Sequence, residues 1–206
     1  MKKIGILGGT FDPVHFGHLI IAKRAEINCG LDEIWFMPAK LPPHKRNRNV
    51  TDFALRKTMI TLAIEGTTKF YCSDFENNLE GDSYTYNTLE RLSKIYDDVE
   101  FYFIMGADSF YEIETWKKPD IILKTVKLII VSRDYSNENM TLESHYKYLK
   151  GKYEIREIYF IDTVDIDISS HEIRELASQN KDISRYVPRN VLEFIKEKKL
   201  YETIQS

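Results

Sequence analysis

The chain has 206 residues, of which 43% are hydrophobic and 30% charged, and its formal net charge is −3 at pH 7. This length suits one α/β domain with a sizeable core, so we expect residues 1–206 to form a single domain. The near-neutral charge gives no general attraction to nucleic acid, and no apolar run approaches membrane-spanning length. The two isolated cysteines, Cys29 and Cys72, predict buried free thiols in a reducing compartment. We therefore expect a cytoplasmic protein that binds neither nucleic acid nor membrane.

Apolar runs and helical spacing predict alternating strands and helices along the chain. We expect Thr51 to cap one helix and Pro188 to lie in the first turn of the last helix. The predicted strands are residues 4–7, 33–38, 69–72, 99–105, 126–132 and 155–161. The predicted helices follow residue 18 and cover residues 52–64, 86–96, 120–124, 141–150 and 187–199, with a short helix beside Trp116 and another opening at residues 168–174.

Strands that are apolar on both faces and alternate with helices are typical of a parallel sheet covered by helices. We therefore predict an α/β fold with a Rossmann-like, doubly wound parallel sheet. Residues 168–206 contain two predicted helices and no clear strand, and we expect them to form a helical annex of the same domain. In such sheets a ligand binds in the crevice outside the carboxyl ends of the strands.

The segment Gly-Gly-Thr-Phe-Asp-Pro-Val-His-Phe-Gly-His at residues 8–18 joins the first strand to the first helix. Gly8 and Gly9 are expected to form a tight turn whose N–H groups face an anion. His15 and His18 are three residues apart and would share one helix face, so two imidazoles would lie beside a phosphate. The segment has no Gly-Lys-Ser/Thr ending, so it is not a Walker P-loop. It also lacks Gly-x-Gly-x-x-Gly spacing, which argues against a hydride-transfer cofactor. The alternative is a metal-binding pair or two surface histidines.

Other polar motifs follow predicted strand ends and should converge on the same crevice. Ser169, Ser170 and Arg174 can bind phosphate oxygens, the alternative being a serine cap with a surface arginine. Gly106 and Asp108 can approach ribose hydroxyls, the alternative being a helix cap by Asp108.

A basic loop contains His44 and Lys45, which could bind phosphate, while a solvated basic loop is the alternative for its arginines Arg46 and Arg48. Trp116 could stack on a flat heterocycle, although its spacing alone favours a core tryptophan. Four separate motifs at strand ends favour a binding site at this edge.

Taken together, these motifs resemble those of the bacterial nicotinate-nucleotide adenylyltransferases, a family of the nucleotidyltransferase superfamily. The histidine motif and Ile-Ser-Ser-x-x-Ile-Arg at residues 168–174 mark the superfamily. The motifs that indicate the family are Pro-x-x-x-Pro-Pro-His-Lys at 38–45, Ser-Tyr-Thr at 83–85, and Gly-Ala-Asp at 106–108 with Trp116. One departure is His171, where the family usually has Thr or Ser; an imidazole must replace that hydroxyl or its phosphate contact is lost.

The resemblance implies adenylyl transfer from ATP to nicotinate mononucleotide, giving nicotinate adenine dinucleotide and pyrophosphate in NAD biosynthesis. The attacking phosphate is already an anion, so no general base is required. Catalysis should come from in-line positioning and from neutralising the charge that develops. Mg²⁺ would arrive with the ATP, and no protein metal site is expected.

By the same resemblance His15, His18 and Arg174 are the catalytic residues. The histidines would bind the α- and β-phosphates, and Arg174 the β- and γ-phosphates. The implied ATP site is Gly8, Gly9, Thr10, Phe11, His15, His18, Gly106, Asp108, Ser169, Ser170 and Arg174. The implied nicotinate-mononucleotide site is Thr10, Phe11, His44, Lys45, Ser83, Tyr84, Thr85 and Trp116, with Thr85 and Trp116 at the nicotinate ring.

Two other classes of function stay open. One is a sister adenylyltransferase that accepts nicotinamide mononucleotide, pantetheine phosphate or flavin mononucleotide; the other is a catalytically silent nucleotide-binding module. A homo-oligomer is also left open. We predict at least a tenfold preference for the acid acceptor, roughly 1.4 kcal/mol, because Thr85 and the N–H groups near Trp116 can donate to a carboxylate. An inward-turned Glu112 or Glu114 would weaken that preference.

Overall fold

The structure is a computed structural model that describes residues 1–40, 50–79, 84–132, 141–162 and 169–202. Its centre is a six-stranded sheet with the order β3-β2-β1-β4-β5-β6. Every neighbouring pair of strands is parallel. The strands are Lys2–Gly9 (β1), Glu33–Pro38 (β2), Phe70–Cys72 (β3), Val99–Gly106 (β4), Lys127–Ser132 (β5) and Ile158–Asp162 (β6). The predicted parallel sheet is confirmed, with each strand displaced by at most a few residues at its ends.

Helices cover both faces of the sheet, which confirms the doubly wound, Rossmann-like fold. One core cluster joins the sheet to α1, α2, α7 and α8, and a second joins it to α3, α4, α5 and α6. The helices are Phe16–Cys29 (α1), Phe53–Ala63 (α2), Thr85–Ile95 (α3), Ala107–Tyr111 (α4), Pro119–Thr125 (α5), Leu142–Lys152 (α6), Ser170–Ser178 (α7) and Arg189–Glu197 (α8).

The chain reverses its direction of travel across the sheet between β1 and β4, so these central neighbours form the topological switch point. Their register places Leu7 opposite Ile104, while Gly9 lies opposite Pro38 of β2. The carboxyl ends of β1, β2 and β4 therefore lie side by side at one edge of the sheet. Ligands of doubly wound folds bind at this edge, beside the switch point.

The glycine pair does not form the predicted turn. Gly8 and Gly9 are the last residues of β1, and Gly9 is still paired with β2. The residue in the left-handed region is Phe11, at φ 52°. Gly9 instead leaves room for Phe11, because a Cβ at Gly9 would lie 3.1 Å from that ring, a tight contact that the ring would have to relieve by shifting. The turn thus begins two residues later than the sequence indicated.

Helix ends differ in detail from the prediction. Asp52, not Thr51, is the N-cap of α2, and its carboxylate accepts from Ala54 N–H at 2.8 Å. Pro188 is the N-cap of α8 and therefore precedes its first turn. The sequence also gave no signal for a 3₁₀ turn at Phe75–Asn78. The predicted serine cap of α7 is confirmed at Ser169.

The C-terminal helices pack on the sheet face that α1 and α2 also cover. Ile173 of α7 and Val191 and Ile195 of α8 share a core cluster with Met59 of α2. Asn190 Nδ2 also donates to the Leu62 carbonyl at 2.5 Å. The described part of residues 168–206 contains helices and no strand, as expected.

Both cysteines are free, as predicted, but each is only half-buried. Burial raises the pKa of the Cys29 thiol and raises that of Cys72 to about 11. Thiols with raised pKa values are weak nucleophiles at neutral pH, so neither cysteine is suited to catalysis. Within the described ranges, no helix is long and apolar enough to span a membrane.

Candidate active site

The two histidines of the 8–18 motif meet at the start of α1. His15 is the buried N-cap and His18 lies in the first turn, with ring centroids 3.8 Å apart and an interplanar angle of 37°. The predicted juxtaposition of the imidazoles is therefore confirmed. The backbone N–H of His15 donates to His18 Nδ1 at 3.3 Å. In neutral His18 this contact places the ring proton on Nε2, which can donate to an anion at the helix N-terminus.

The turn between β1 and α1 is held by a buried carboxylate. Asp12 is 3% exposed; its Oδ2 accepts from Thr51 N–H at 3.1 Å and its Oδ1 accepts from the Tyr201 hydroxyl at 2.7 Å. Burial and the nearby Asp12 charge raise the pKa of Tyr201 well above its ordinary value. The turn next to the histidines is therefore tied to the C-terminal end of the chain.

Helix α7 docks on the same turn through the residues that the sequence singled out. Arg174 Nη1 donates to the Asp12 carbonyl at 2.6 Å and to the Ser170 carbonyl at 3.2 Å. The Ser170 hydroxyl donates to the Pro13 carbonyl at 2.9 Å. The structure thus brings Ser170 and Arg174 to the histidine motif. Arg174 is therefore not the surface arginine of the alternative interpretation.

Ser169 and His171 have local partners in this structure. The Ser169 hydroxyl donates to Glu172 Oε2 at 2.7 Å and accepts from Glu172 N–H at 3.2 Å, so Ser169 is a helix cap, the alternative that the sequence had left open. His171 is exposed, with Nε2 3.4 Å from Glu175 Oε1. It therefore points along α7 towards solvent.

Arg56 organises the site and was missed from the sequence. Its side chain is 1% exposed and donates to the Thr10, Ala39 and Thr51 carbonyls at 2.8, 2.9 and 2.8 Å. Burial lowers the pKa of its guanidinium, while the Asp12 and Asp52 carboxylates oppose that shift. Arg56 thus joins the loop after β1 to the loop after β2.

A sequence signal for Arg56 did exist. It lies three and four residues before Met59 and Ile60, on the buried face of the predicted helix. A charged residue at such a position must have partners inside the protein.

Beside the histidine motif, a cavity of about 560 Å³ opens at the switch point. The end of β1, through Gly9 and Thr10, lines one part of it, and Tyr84, Thr85 and Trp116 line another. Trp116 is half-buried and packs edge-on against Phe103, with 6.3 Å between the ring centroids. Its two proposed roles are therefore compatible, since the indole contacts the core and also faces the cavity.

Two charged residues of the cavity were not predicted. Lys117 follows Trp116 directly, and Glu76 comes from the 3₁₀ turn after β3. The Thr88 hydroxyl donates to Glu76 Oε1 at 3.0 Å. The glutamates that could have weakened the acid preference lie elsewhere: Glu114 accepts from Lys152 at 2.6 Å and from the Tyr153 hydroxyl at 2.9 Å, and Glu112 is exposed.

Gly106 and Asp108 lie at the carboxyl end of β4, and both are exposed. Gly106 is the N-cap of α4, so the alternative role of Asp108 as a helix cap is wrong. Neither residue lines the cavity of about 560 Å³. The remaining predicted site residues, His44, Lys45 and Ser83, lie outside the described residues.

A doubly wound sheet with paired imidazoles at the first helix and a cavity beside them is typical of an α/β protein that binds a ligand at the switch point. Residues 6–176 match the model of the cytidylyltransferase-like family. Over 203 residues, covering 98% of this chain and 99% of the relative, the chain is 42% identical to a probable nicotinate-nucleotide adenylyltransferase of Clostridium botulinum. A Bacillus cytotoxicus protein with the same description is 39% identical, with 98% and 100% covered. The chain belongs to the cytidylyltransferase-like family and, within it, to the nicotinate-nucleotide adenylyltransferases.

Solved structures agree at the level of the fold. A Plasmodium falciparum nicotinic acid mononucleotide adenylyltransferase, complexed with NaAD, superposes with a TM-score of 0.80 at 24% identity, with 98% of each chain covered. A putative nicotinate-nucleotide adenylyltransferase from Vibrio parahaemolyticus gives a TM-score of 0.65 at 22% identity, with 98% of this chain and 96% of that chain covered.

Proposed function

We propose that the protein transfers the adenylyl group of ATP to the phosphate of nicotinate mononucleotide. One observation carries this proposal: Gly9 and Thr10 line the cavity, and the ring of the next residue, Phe11, lies against His18 with 4.8 Å between the ring centroids. A donor nucleotide at the histidines and an acceptor in the cavity would therefore meet at Gly9 and Thr10. In the reaction an acceptor phosphate oxygen bonds to the α-phosphorus of ATP. The bond from that phosphorus to the bridging oxygen breaks, and its electron pair leaves with pyrophosphate.

On the donor side, the chain stabilises negative charge. His18 Nε2–H and the N-terminus of α1 would bind the α- and β-phosphates, and His15 lies against His18. Arg174 and Ser170 would hold the β- and γ-phosphates at the start of α7, with the cap residue Ser169 nearby. Because the acceptor phosphate is already ionised, these donors raise the rate by binding the transition state more tightly than the ground state.

On the acceptor side, we assign the nicotinate ring to the cavity between Thr85 and Trp116. The backbone N–H groups of Thr10 and Phe11 would meet the transferred phosphate, and Gly106 and Asp108 the adenosine ribose. His44, Lys45 and Ser83 complete the proposed acceptor site on resemblance alone, with Tyr84 beside Thr85.

We also propose that Mg²⁺ reaches the site bound to ATP, in the cytoplasm. The described residues contain no group of three or more His, Cys, Asp or Glu that could hold a metal ion. Phosphate oxygens are ligands that Mg²⁺ favours, so the triphosphate itself can supply them. When bound, the ion would neutralise phosphate charge.

The test is to supply ATP and Mg²⁺ with each of four acceptors and to measure pyrophosphate. We expect release with nicotinate mononucleotide, and little with nicotinamide mononucleotide, flavin mononucleotide or pantetheine phosphate. Release mainly with one of the other three acceptors would identify a sister enzyme, and nucleotide binding without release would identify a silent binding module. Asn28→Ala, on the exposed far end of α1, serves as the control for His18→Ala on the same helix.

A further inference from the structure

Two consecutive lysines lie over two nearby tyrosines, and one of these two pairs lines the cavity. Lys117 Nζ is 4.0 Å from the ring centroid of Tyr84, and Lys118 Nζ is 4.7 Å from that of Tyr86. The tyrosine rings are nearly parallel, with centroids 6.1 Å apart. The two ammonium groups therefore have the same kind of partner, but only Lys117 lines the cavity.

The backbone around Lys117 is fixed on both sides. Trp116 N–H donates to the Ile113 carbonyl at 3.1 Å, closing the 3₁₀ turn, and the Lys118 carbonyl accepts from Ile121 N–H at 3.1 Å at the start of α5. The face of Tyr84 attracts the ammonium as a cation–π partner. The position of this charge is thus restricted before any ligand binds, which lowers the entropy cost of using it.

Two charged side chains line the cavity. Among the described residues that line it, Lys117 supplies the cationic side chain and Glu76 the carboxylate, which already accepts from Thr88. The ring of a pyridine mononucleotide is a pyridinium cation. A ring carboxylate balances that charge, whereas a ring carboxamide leaves the positive charge uncompensated. An ammonium beside the ring substituent attracts the carboxylate of the acid. Beside the carboxamide it meets only the uncompensated positive charge of the pyridinium, which repels it.

We propose that the side chain of Lys117 is a specificity-determining group, which favours an acceptor ring that carries a carboxylate over one that carries a carboxamide. The inference rests on the proposed function and adds a side-chain charge to the neutral donors of Thr85 and the backbone. It concerns recognition of the ring only, and the transfer step itself does not involve Lys117.

The experiment compares kcat/KM for nicotinate and nicotinamide mononucleotides in Lys117→Met, Lys117→Arg and Lys118→Met variants. Methionine keeps the unbranched apolar stem on the tyrosine ring and removes the charge. We expect Lys117→Met to lower the acid-to-amide ratio about tenfold, or about 1.4 kcal/mol, mainly through a higher KM for the acid. Lys117→Arg should keep most of the preference, and Lys118→Met should keep all of it.

Two kinetic outcomes would overturn the inference. One is an unchanged acid-to-amide ratio of kcat/KM in Lys117→Met, and the other is an equal fall of that ratio in Lys118→Met. Calorimetric binding of the acid mononucleotide gives a second readout, since a charge contact predicts that added salt weakens binding in the wild type more than in Lys117→Met. A wild type that uses neither mononucleotide would overturn the proposed function as well, whereas a wild type that prefers the acid with an unchanged variant ratio overturns this inference alone.

Discussion

Replacement of Arg56 by methionine tests whether one buried guanidinium holds the active-site loops. Arg56 donates to the carbonyls of Thr10, Ala39 and Thr51 at 2.8–2.9 Å, with Lys40 O more distant at 3.4 Å. Methionine fills similar volume but makes none of these contacts. Leaving the three carbonyls without this donor should cost about 3–5 kcal/mol in total, because each buried acceptor left unsatisfied costs about 1–3 kcal/mol. For a chain of this size that corresponds to a fall in Tm of roughly 6–20 °C.

The assay is denaturant unfolding combined with steady-state kinetics, because the carbonyls belong to loops on both sides of the proposed site. Arg56→Met should lose stability and also raise KM. Arg56→Lys keeps the charge without the planar fork, so its stability and KM should lie between those of the wild type and Arg56→Met. Arg91→Met, on the exposed side of α3, is the matched control and should change the unfolding free energy by less than about 0.5 kcal/mol. A loss below about 1 kcal/mol in Arg56→Met would refute the bracing role.

Three further predictions concern other parts of the site. His18→Ala should lower kcat by roughly 10²–10³ with little change in Tm, as measured by pyrophosphate release, since a donor to the transition state is lost. Lys45→Ala should raise the KM for ATP or the acceptor with little change in Tm. Unaltered kinetics would show that Lys45 is a solvated loop residue with no role in binding. Tyr201→Phe should lower the free energy of unfolding by about 1.5–3 kcal/mol, because the buried Asp12 carboxylate loses a hydrogen bond. The raised pKa of Tyr201 makes that contribution fully present below pH about 10 and lost as the pH rises further, so the wild-type advantage should shrink in alkaline unfolding experiments.

The sheet could be predicted because its central strands are buried on both faces. In β1, β4 and β5 nearly every residue of the strand centre lies in one of the two cores, so continuous apolar runs locate these strands without tertiary information. The order of the strands depends on contacts between distant parts of the chain. Alternation with helices nevertheless restricts the possible connections between strands strongly. Helix caps were less certain, since adjacent Thr51 and Asp52 both have suitable side chains and only the folded backbone selects one.

The histidine pair could be predicted because both residues belong to one short segment. The residues that hold this segment in place could not, because their partners are distant in sequence: Arg56 contacts Thr10 across 46 positions and Tyr201 contacts Asp12 across 189. Lys117 was hidden for another reason. A lysine beside a tryptophan looks like a solvated surface charge until the packing of Tyr84 places it at the cavity.

The turn beside the proposed phosphate site is held by charged side chains that bind its backbone carbonyls. Arg174 donates to the carbonyl of Asp12 and Arg56 to that of Thr10, so these carbonyls are turned towards cations. The Asp12 and Asp52 carboxylates lie near the Arg56 guanidinium, and Asp12 also accepts from Tyr201 and Thr51. The charged groups around the turn are therefore held in fixed positions before a substrate binds. Such a preorganised field costs no reorganisation when charge develops on the transferred phosphate, and it would be lost if the cations came only from flexible surface side chains.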